Sequence, residues 1–218
     1  MKKLHLSLTA IFFLSFTLSA QNYIEVSGYG GYMLSGTADF YGYIGNTNQY
    51  VSGEVNVDDG PVYGATLGYE VSDAGMQIQF LYGYNKVNST IRYFGSFAPE
   101  AEVVELKIEH FHLGAERSLG GNEKVNPYAG VSLGITNYAP QNSVYDNTVR
   151  FSGSVGAGLK VYPTDRIGLK FQARMFLPMT FSGIGIYCGT GGCGGGSTFN
   201  VPIVHGEFTG GVVFRIEK

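Results

Sequence analysis

Residues 151–162 read FSGSVGAGLKVY, and they decide how the rest of the chain is interpreted. Apolar side chains such as Phe151 and Val155 occupy one parity, and polar ones such as Ser152 and Lys160 occupy the other. Alternation of this kind is typical of a β-strand whose two faces lie in unlike surroundings. The pattern leaves open whether the apolar face packs on a protein core or contacts lipid.

Residues 1–20 have the features of a secretory signal peptide. Two lysines follow the initiator methionine, an apolar run spans 6–18, and a pair of small residues ends at Ala20. This order is typical of such signals, and the run is too short for a spanning helix. We predict cleavage after Ala20 and an exported mature domain of residues 21–218; an uncleaved anchor helix is the alternative.

The composition is unusual for a soluble domain. Charged residues make up 14% of the chain, against about 25% in average proteins. Glycine accounts for 33 of 218 residues, and there are 16 Tyr, 15 Phe and no Trp. The net charge of −3 gives no attraction to nucleic acid. These values favour an exported protein of the membrane rather than a soluble domain or a nucleic-acid partner.

Eight segments alternate in the same way as the first one quoted. Most of them are about 10 residues or longer, which is the length a tilted strand needs to cross a bilayer. Short connections at one end and long ones rich in Gly, Asn, Ser and Thr at the other are typical of membrane barrels. The segments are 22–34, 62–71, 76–84, 103–117, 126–136, 151–162, 166–177 and 203–216.

Two architectures fit this alternation, a soluble lipocalin-like barrel and a membrane barrel. A face that meets water is expected to be about a quarter to a third charged, but the polar parity here is mostly Ser, Thr, Gln and Gly. We therefore predict an all-β fold: a closed eight-stranded antiparallel transmembrane β-barrel with short periplasmic turns and long extracellular loops. Aromatic girdles at the segment ends are expected from Tyr32, Tyr63, Tyr69, Tyr82, Tyr84, Tyr128 and Tyr162.

The charged residues of the polar parity are expected inside this barrel. In segment 103–117 the apolar parity switches between Ile108 and Phe111, for which a β-bulge near Glu109 and His110 is the simplest explanation. Charges in a low-dielectric lumen are tolerated when they are paired, so a balanced set predicts a polar plug without a water-filled pore. The set is Glu25, Glu70, Glu105, Glu109 and Glu207 with Lys107, Lys160, Lys170, Arg174 and Arg215.

The stretches PYAGVSLGI (127–135) and GEFTGGVVFRI (206–216) carry a family resemblance. The chain resembles the small outer-membrane β-barrel proteins of Gram-negative bacteria, the eight-stranded class that includes the OmpA transmembrane domain, OmpX and OmpW. Many members end in Phe, whereas here Phe214 is followed by Arg-Ile-Glu-Lys. The resemblance implies location in the outer membrane, contact with its lipids and lipopolysaccharide, and insertion by the barrel-assembly machinery.

Histidines and hydroxyl groups suggest no catalytic site. His110 and His112 share a strand face and His205 lies on the last segment, so three imidazoles are available to a metal. A hydrogen-bonded plug is the simpler interpretation, and we expect no metal, cofactor or catalytic residue. Nucleophilic catalysis needs a hydroxyl activated by an adjacent base, and the sequence nominates none.

The long loops carry the remaining candidates. Phe40, Tyr41, Tyr43 and Tyr50 lie among polar residues in 36–60, a composition typical of binding surfaces. We predict a non-enzymatic envelope protein that contributes to membrane integrity or to surface interaction through its loops. The alternatives are OmpW-like transport of small apolar molecules and, further off, a lipid-modifying enzyme.

Cys188 and Cys193 are predicted to form a disulfide, because two closely spaced thiols exported from the cytoplasm oxidise readily. Alkylation of the denatured protein without reductant, followed by mass spectrometry, is expected to modify neither cysteine. After reduction both should react. Two alkylated cysteines in the unreduced sample would contradict the prediction.

Overall fold

The computed structural model describes most of the chain from Tyr23 to Glu217. The described ranges are 23–44, 49–72, 75–94, 101–121, 124–142, 146–189, 192–200 and 203–217. Within them, only the backbone is described for 40–44, 49–51, 72, 180–189, 192–200 and 217. The predicted signal peptide lies outside these ranges. None of the described residues forms a helix with the length and hydropathy that a membrane-spanning helix needs.

Eleven β-strands make up the described part of the chain. They are β1 (Tyr23–Leu34), β2 (Thr37–Ile44), β3 (Gln49–Val57), β4 (Gly60–Ser72), β5 (Met76–Phe94), β6 (Glu102–Ser118), β7 (Val125–Pro140), β8 (Thr148–Val161), β9 (Ile167–Gly189), β10 (Gly192–Asn200) and β11 (His205–Glu217).

Eight of these strands close into a ring, and every pairing in it is antiparallel. The order is β5-β4-β1-β11-β9-β8-β7-β6, and β6 pairs with β5 to complete the circle. This confirms the predicted closed eight-stranded antiparallel barrel and its eight segments. β2 and β3 form a hairpin that continues from β5, and β10 pairs with the end of β9.

The register fixes the tilt of the strands. Each residue can be followed to its paired residue in the next strand. Starting from Ile24, this path leads once around the ring and back to β1 at Leu34, ten residues further along the chain. An eight-stranded ring with this stagger has strands tilted by about 40°. The path passes through Tyr69, Ile78, Ala115, Val131, Val155, Met175 and Gly206.

Short connections lie at one end of the barrel, here called the turn end, together with the first residue of β1 and the last of β11. Gly120 and Gly121 in the β6–β7 turn have φ values of 102° and 125°, which L-residues with a side chain rarely adopt. The opposite end, called the loop end, carries the long connections. β5 and β9 extend furthest there, with 19 and 23 residues.

An apolar belt covers the outside of the ring. Burial alternates residue by residue, and the outward position of each barrel strand is apolar and exposed. A closed barrel that exposes its apolar parity and buries its polar parity is arranged for lipid and not for water. One exposed example from each barrel strand is Val26, Leu67, Phe80, Leu113, Val131, Val155, Phe171 and Phe214.

The predicted β-bulge in β6 is absent from the described strand. β6 pairs with β5 from Glu102 to Arg117 with no shift of register. Even-numbered residues of β6 point inward throughout, so Ile108 is buried like His110 and His112. The side-chain parity is therefore constant, and what changes along the strand is the surrounding medium.

Above the belt, the barrel has an apolar interior and a polar wall, because water replaces lipid outside it. The interior cluster at the loop end contains Met33, Val57, Val62, Val87, Leu106, Ile108 and Ile203. On the outside of the same level lie Lys86, Glu105 and Lys107. The switch of apolar parity thus marks where β5 and β6 leave the bilayer.

Replacing Val131 by Arg tests the lipid-facing belt. Val131 is 62% exposed in the middle of the belt, and Leu119, in a turn, is 64% exposed. Val131→Arg is expected to lower the free energy of unfolding in bilayers by about 2–4 kcal/mol, measured by denaturant titration. Leu119→Arg should change it by less than about 0.5 kcal/mol. Equal effects of the two substitutions would contradict a lipid-facing belt.

Candidate functional site

Glu25 anchors an ion cluster that fills the turn end of the lumen. Its carboxylate accepts hydrogen bonds from Lys160 Nζ at 2.5 Å, Arg215 Nε at 2.9 Å and Tyr162 Oη at 2.7 Å. Gln77 donates a further bond at 3.0 Å. Lys160 lies on β8 and Gln77 on β5, neither of which neighbours β1, so these contacts cross the lumen. The cluster therefore joins opposite walls of the barrel.

Glu116 on β6 contacts three cationic side chains of the same cluster. Lys160 and Lys170 are directly paired across β8 and β9, and Glu116 Oε2 and Oε1 contact their ammonium groups at 3.2 and 2.8 Å. The guanidinium of Arg174 lies 3.6 Å from Glu116 Oε1. Two like charges opposite each other in a ladder repel. The buried carboxylate of Glu116 compensates this repulsion.

Two tyrosines line the ion cluster, although the sequence placed them in the aromatic girdles. Tyr128 and Tyr162 are each only 3% exposed. Their rings cover Gly158 and Gly168, where an added Cβ would lie 2.6 Å from a ring atom. The guanidinium of Arg215 lies 3.6 Å from the centroid of the Tyr162 ring. The glycines thus make room for rings that pack beneath the cations.

An imidazole layer occupies the middle of the lumen. The His110 ring stacks on Phe176 with centroids 4.0 Å apart, and His112 contacts the same ring edge-on. Thr136 Oγ1 bonds to His110 Nδ1 at 2.9 Å, and Ser132 Oγ bonds to His112 Nδ1 at 3.0 Å. These rings are at most 1% exposed. The layer closes the lumen above the ion cluster.

His205 does not share a ligand site with His110 and His112, because both of its ring nitrogens already form hydrogen bonds to other residues. Ser35 Oγ bonds to Nδ1 and Tyr138 Oη to Nε2, each at 2.7 Å. His110 Nε2 instead faces Glu207 Oε1 at 4.0 Å. Among the described residues, no three His, Cys, Asp or Glu side chains are grouped to hold a metal ion. The hydroxyl–imidazole pairs point into a packed interior.

Three predicted lumen residues lie on the outer wall instead. The side chains of Lys86 and Glu105 are 47% and 50% exposed and form an ion pair at 2.9 Å. Lys107 and Glu109 form another at 2.9 Å on the same wall. The prediction for Glu105, Lys107 and Glu109 was wrong, because the supposed bulge reversed their parity.

The remaining predicted lumen charges point inward. Glu25, Lys160, Lys170, Arg174 and Glu207 are buried, and Arg215 is half-buried in contact with Glu25. Glu70 is half-buried and lines the turn-end mouth. The sequence reasoning missed Glu116, and it placed Gln77 on the lumen-facing parity without assigning it to the cluster, which both residues complete. The signal for Glu116 was present, since it shares the parity of His110 and His112 once β6 is treated as regular.

The predicted loop contacts lie in the hairpins at the loop end. Phe40, Tyr41 and Tyr43 belong to β2 and Tyr50 to β3, but their side chains are outside the described residues. The backbones of Cys188 and Cys193 are directly paired in the β9–β10 hairpin. Their side chains are likewise outside the described set, so the disulfide stays a prediction.

A small cavity at the turn end lies next to the ion cluster. Its volume is about 40 Å³, enough for a few water molecules and too small for a solute path. Glu25, Glu70, Gln77 and Arg215 are among the residues that line it. The ion cluster, the imidazole layer and the apolar cluster of the loop end thus follow one another along the lumen.

The sequence matches the family described as outer membrane protein beta-barrel domain over residues 8–180. The chain belongs to this family. The family supports an outer-membrane location for the barrel; in such barrels the short turns usually lie in the periplasm and the long loops outside. No curated protein matches the sequence.

Solved structures share the fold at low sequence identity. OprG of Pseudomonas aeruginosa is 13% identical and covers 91% of this chain and 97% of its own, with a TM-score of 0.60. AlkL, solved in lipid bilayers, is 14% identical over 93% and 94%, with a TM-score of 0.57. Neisserial surface protein A is 13% identical over 90% and 98%, with a TM-score of 0.50. These similarities concern the fold alone.

Replacing Glu116 by Gln tests the ion cluster. The change keeps the shape of the side chain but removes the carboxylate charge that three buried cations contact. The free energy of unfolding should therefore fall by about 3–5 kcal/mol. Glu105→Gln, which removes an exposed ion pair, should cost less than about 1 kcal/mol. Denaturant titration in bilayers measures both. A Glu116→Gln protein as stable as Glu105→Gln would refute the buried cluster.

Proposed function

We propose that this chain is a non-enzymatic outer-membrane protein whose lumen is closed by its own side chains. It contributes to envelope integrity, and it displays structured hairpins for interaction at the cell surface. The observation that carries the proposal is the succession of buried side chains along the described lumen, from the ion cluster through the imidazole layer to the apolar cluster. A barrel filled in this way is a rigid membrane anchor and not a channel.

The chemistry of each layer supports closure. At the turn end, Glu25 and Glu116 bind cations from three strands, β8, β9 and β11. In the middle, Phe176 and His110 are completely buried. An eight-stranded barrel has an interior just wide enough for side chains to fill. Conduction through this barrel would require several paired charges to separate together.

The hairpins at the loop end support a surface role. Residues Ser52–Val57 of β3 pair with the far end of β5, so the β2–β3 hairpin is anchored on the barrel wall. β9 continues past Met179 and pairs with β10 as far as Gly192. In the described strands, β2 and β10 each pair on one side only. A strand edge of this kind accepts further backbone hydrogen bonds from a partner.

Transport of small apolar molecules is the second candidate. The apolar interior above the belt, with Met33, Val62 and Ile108, has a suitable chemistry for such solutes. These three side chains are completely buried against one another, which supports a packed core over a binding chamber. A transport role would need the loop end to open.

Planar-bilayer recordings and liposome swelling separate these two candidates. The purified protein is expected to give no single-channel steps and no uptake of either hydrophilic or apolar solutes, because the three layers close the lumen. Clear conductance steps would contradict the closed lumen. Uptake of apolar solutes alone, without conductance, would favour the transport candidate.

A catalytic role has a separate readout. Lipid A from cells with and without the gene should have the same acyl number and the same phosphate content. A difference in either would overturn the non-enzymatic proposal.

A further inference from the structure

A compact group of charges lies on the outer wall just above the apolar belt. Lys86 on β5 and Lys107 on β6 are directly paired across the ladder. Glu105 and Glu109 flank them at 2.9 Å. We call these four residues the lysine patch. Two ammonium groups held side by side repel each other, so an anion that contacts both is favoured there.

The carboxylates of the patch leave the ammonium groups available. The Lys86–Glu105 pair is about half exposed, and exposed ion pairs contribute little. Glu109 also accepts hydrogen bonds from Tyr82 Oη at 3.1 Å and Asn137 Nδ2 at 3.2 Å. Its charge is therefore stabilised by neutral donors in addition to Lys107. Each ammonium group has three N–H donors. One carboxylate oxygen occupies only one of them, so donors remain for a second anion.

The height of the patch matches that of lipid headgroups. The outward residues of β5 run from Phe80 through Tyr82 and Tyr84 to Lys86. Tyrosines of a membrane barrel lie at the interface between hydrocarbon and headgroups. The Lys107 ammonium is 5.6 Å from the centroid of the Tyr84 ring. The two ammonium groups thus follow directly on the aromatic girdle.

The two adjacent lysines of the patch lie on one side of the barrel. Near the loop ends of β1, β8 and β11 the outward side chains Leu34, Val149 and Phe208 are apolar and exposed. At these three positions the outer wall is apolar, whereas β5 and β6 carry the paired lysines of the patch. Two adjacent lysines just above the apolar belt can bind the headgroup of one amphiphile while its acyl chains lie on the belt.

We propose that the lysine patch binds the phosphate groups of a lipopolysaccharide molecule in the outer leaflet. Lys86 and Lys107 donate to the phosphate oxygens, and the acyl chains lie along Phe80, Phe111 and Leu113. This inference needs only the outer-membrane location of the chain. It is independent of whether the lumen conducts.

Native mass spectrometry of the full mature chain in detergent tests the proposal, with phosphorylated lipid A as the probe. The Lys86→Gln/Lys107→Gln double variant is expected to bind lipid A about tenfold or more weakly than wild type. Dephosphorylated lipid A should bind wild type as weakly as phosphorylated lipid A binds the double variant. The heat-dependent gel mobility of each variant verifies that the barrel is folded.

A matched control removes the same charge at the turn end. Lys124→Gln/Arg166→Gln, at two exposed positions in turns, should leave lipid A binding unchanged. The proposal is overturned if this control loses as much affinity as the patch variant, or if dephosphorylated lipid A binds wild type normally. It is also overturned if phosphatidylglycerol or inorganic phosphate reproduces both the affinity and the dependence on the two lysines.

Discussion

In hydrocarbon, a backbone N–H or C=O group finds no hydrogen-bonding partner except within the protein. This constraint determines the architecture, because an open sheet would leave a row of such groups unpaired at each edge. The chain meets it by pairing β1 with β11 along twelve consecutive residues, from Tyr23 to Leu34. Once the ring is closed, the stagger and tilt of the strands follow from the register, and every side chain points either to lipid or to the lumen.

Closure creates a second requirement, since the narrow interior must satisfy its own polar groups. At the turn end, carboxylates that each face several cations meet this requirement, as Glu25 and Glu116 do. Glycines such as Gly158 let Tyr128 pack across the wall. Buried ion pairs are worth little compared with apolar packing, but a broken one is costly. The lumen charges therefore stabilise the barrel only as a complete set.

Where the barrel leaves the bilayer, the same strands serve an opposite environment. On β6 the inward residues change from His112 and His110 to Ile108 and Leu106. The outward ones change from Leu113 and Phe111 to charged residues in the same register. Where lipid surrounds the strand, the apolar side chains point outward. Where water surrounds it, the hydrophobic effect favours burying the apolar side chains inside the barrel. One continuous strand thereby builds a lipid-facing wall and a water-facing one.

The sequence predicted the eight barrel strands, their antiparallel closure and the lipid-facing parity of the belt. These features depend on local alternation and on connection lengths, which are read directly along the chain. It failed at Glu105, Lys107 and Glu109, where a change of medium was taken for a change of side-chain parity. The sequence of a single strand does not specify the position along it at which water replaces lipid.

The sequence by itself determined the eight barrel strands and their lipid-facing parity, because the period of two is a property of each segment. Only the tertiary structure decided which charges meet. Lys160, Glu116 and Glu25 come from β8, β6 and β1, and their distances depend on the register summed around the ring. Register is a cooperative result of all eight pairings, so no segment specifies it alone.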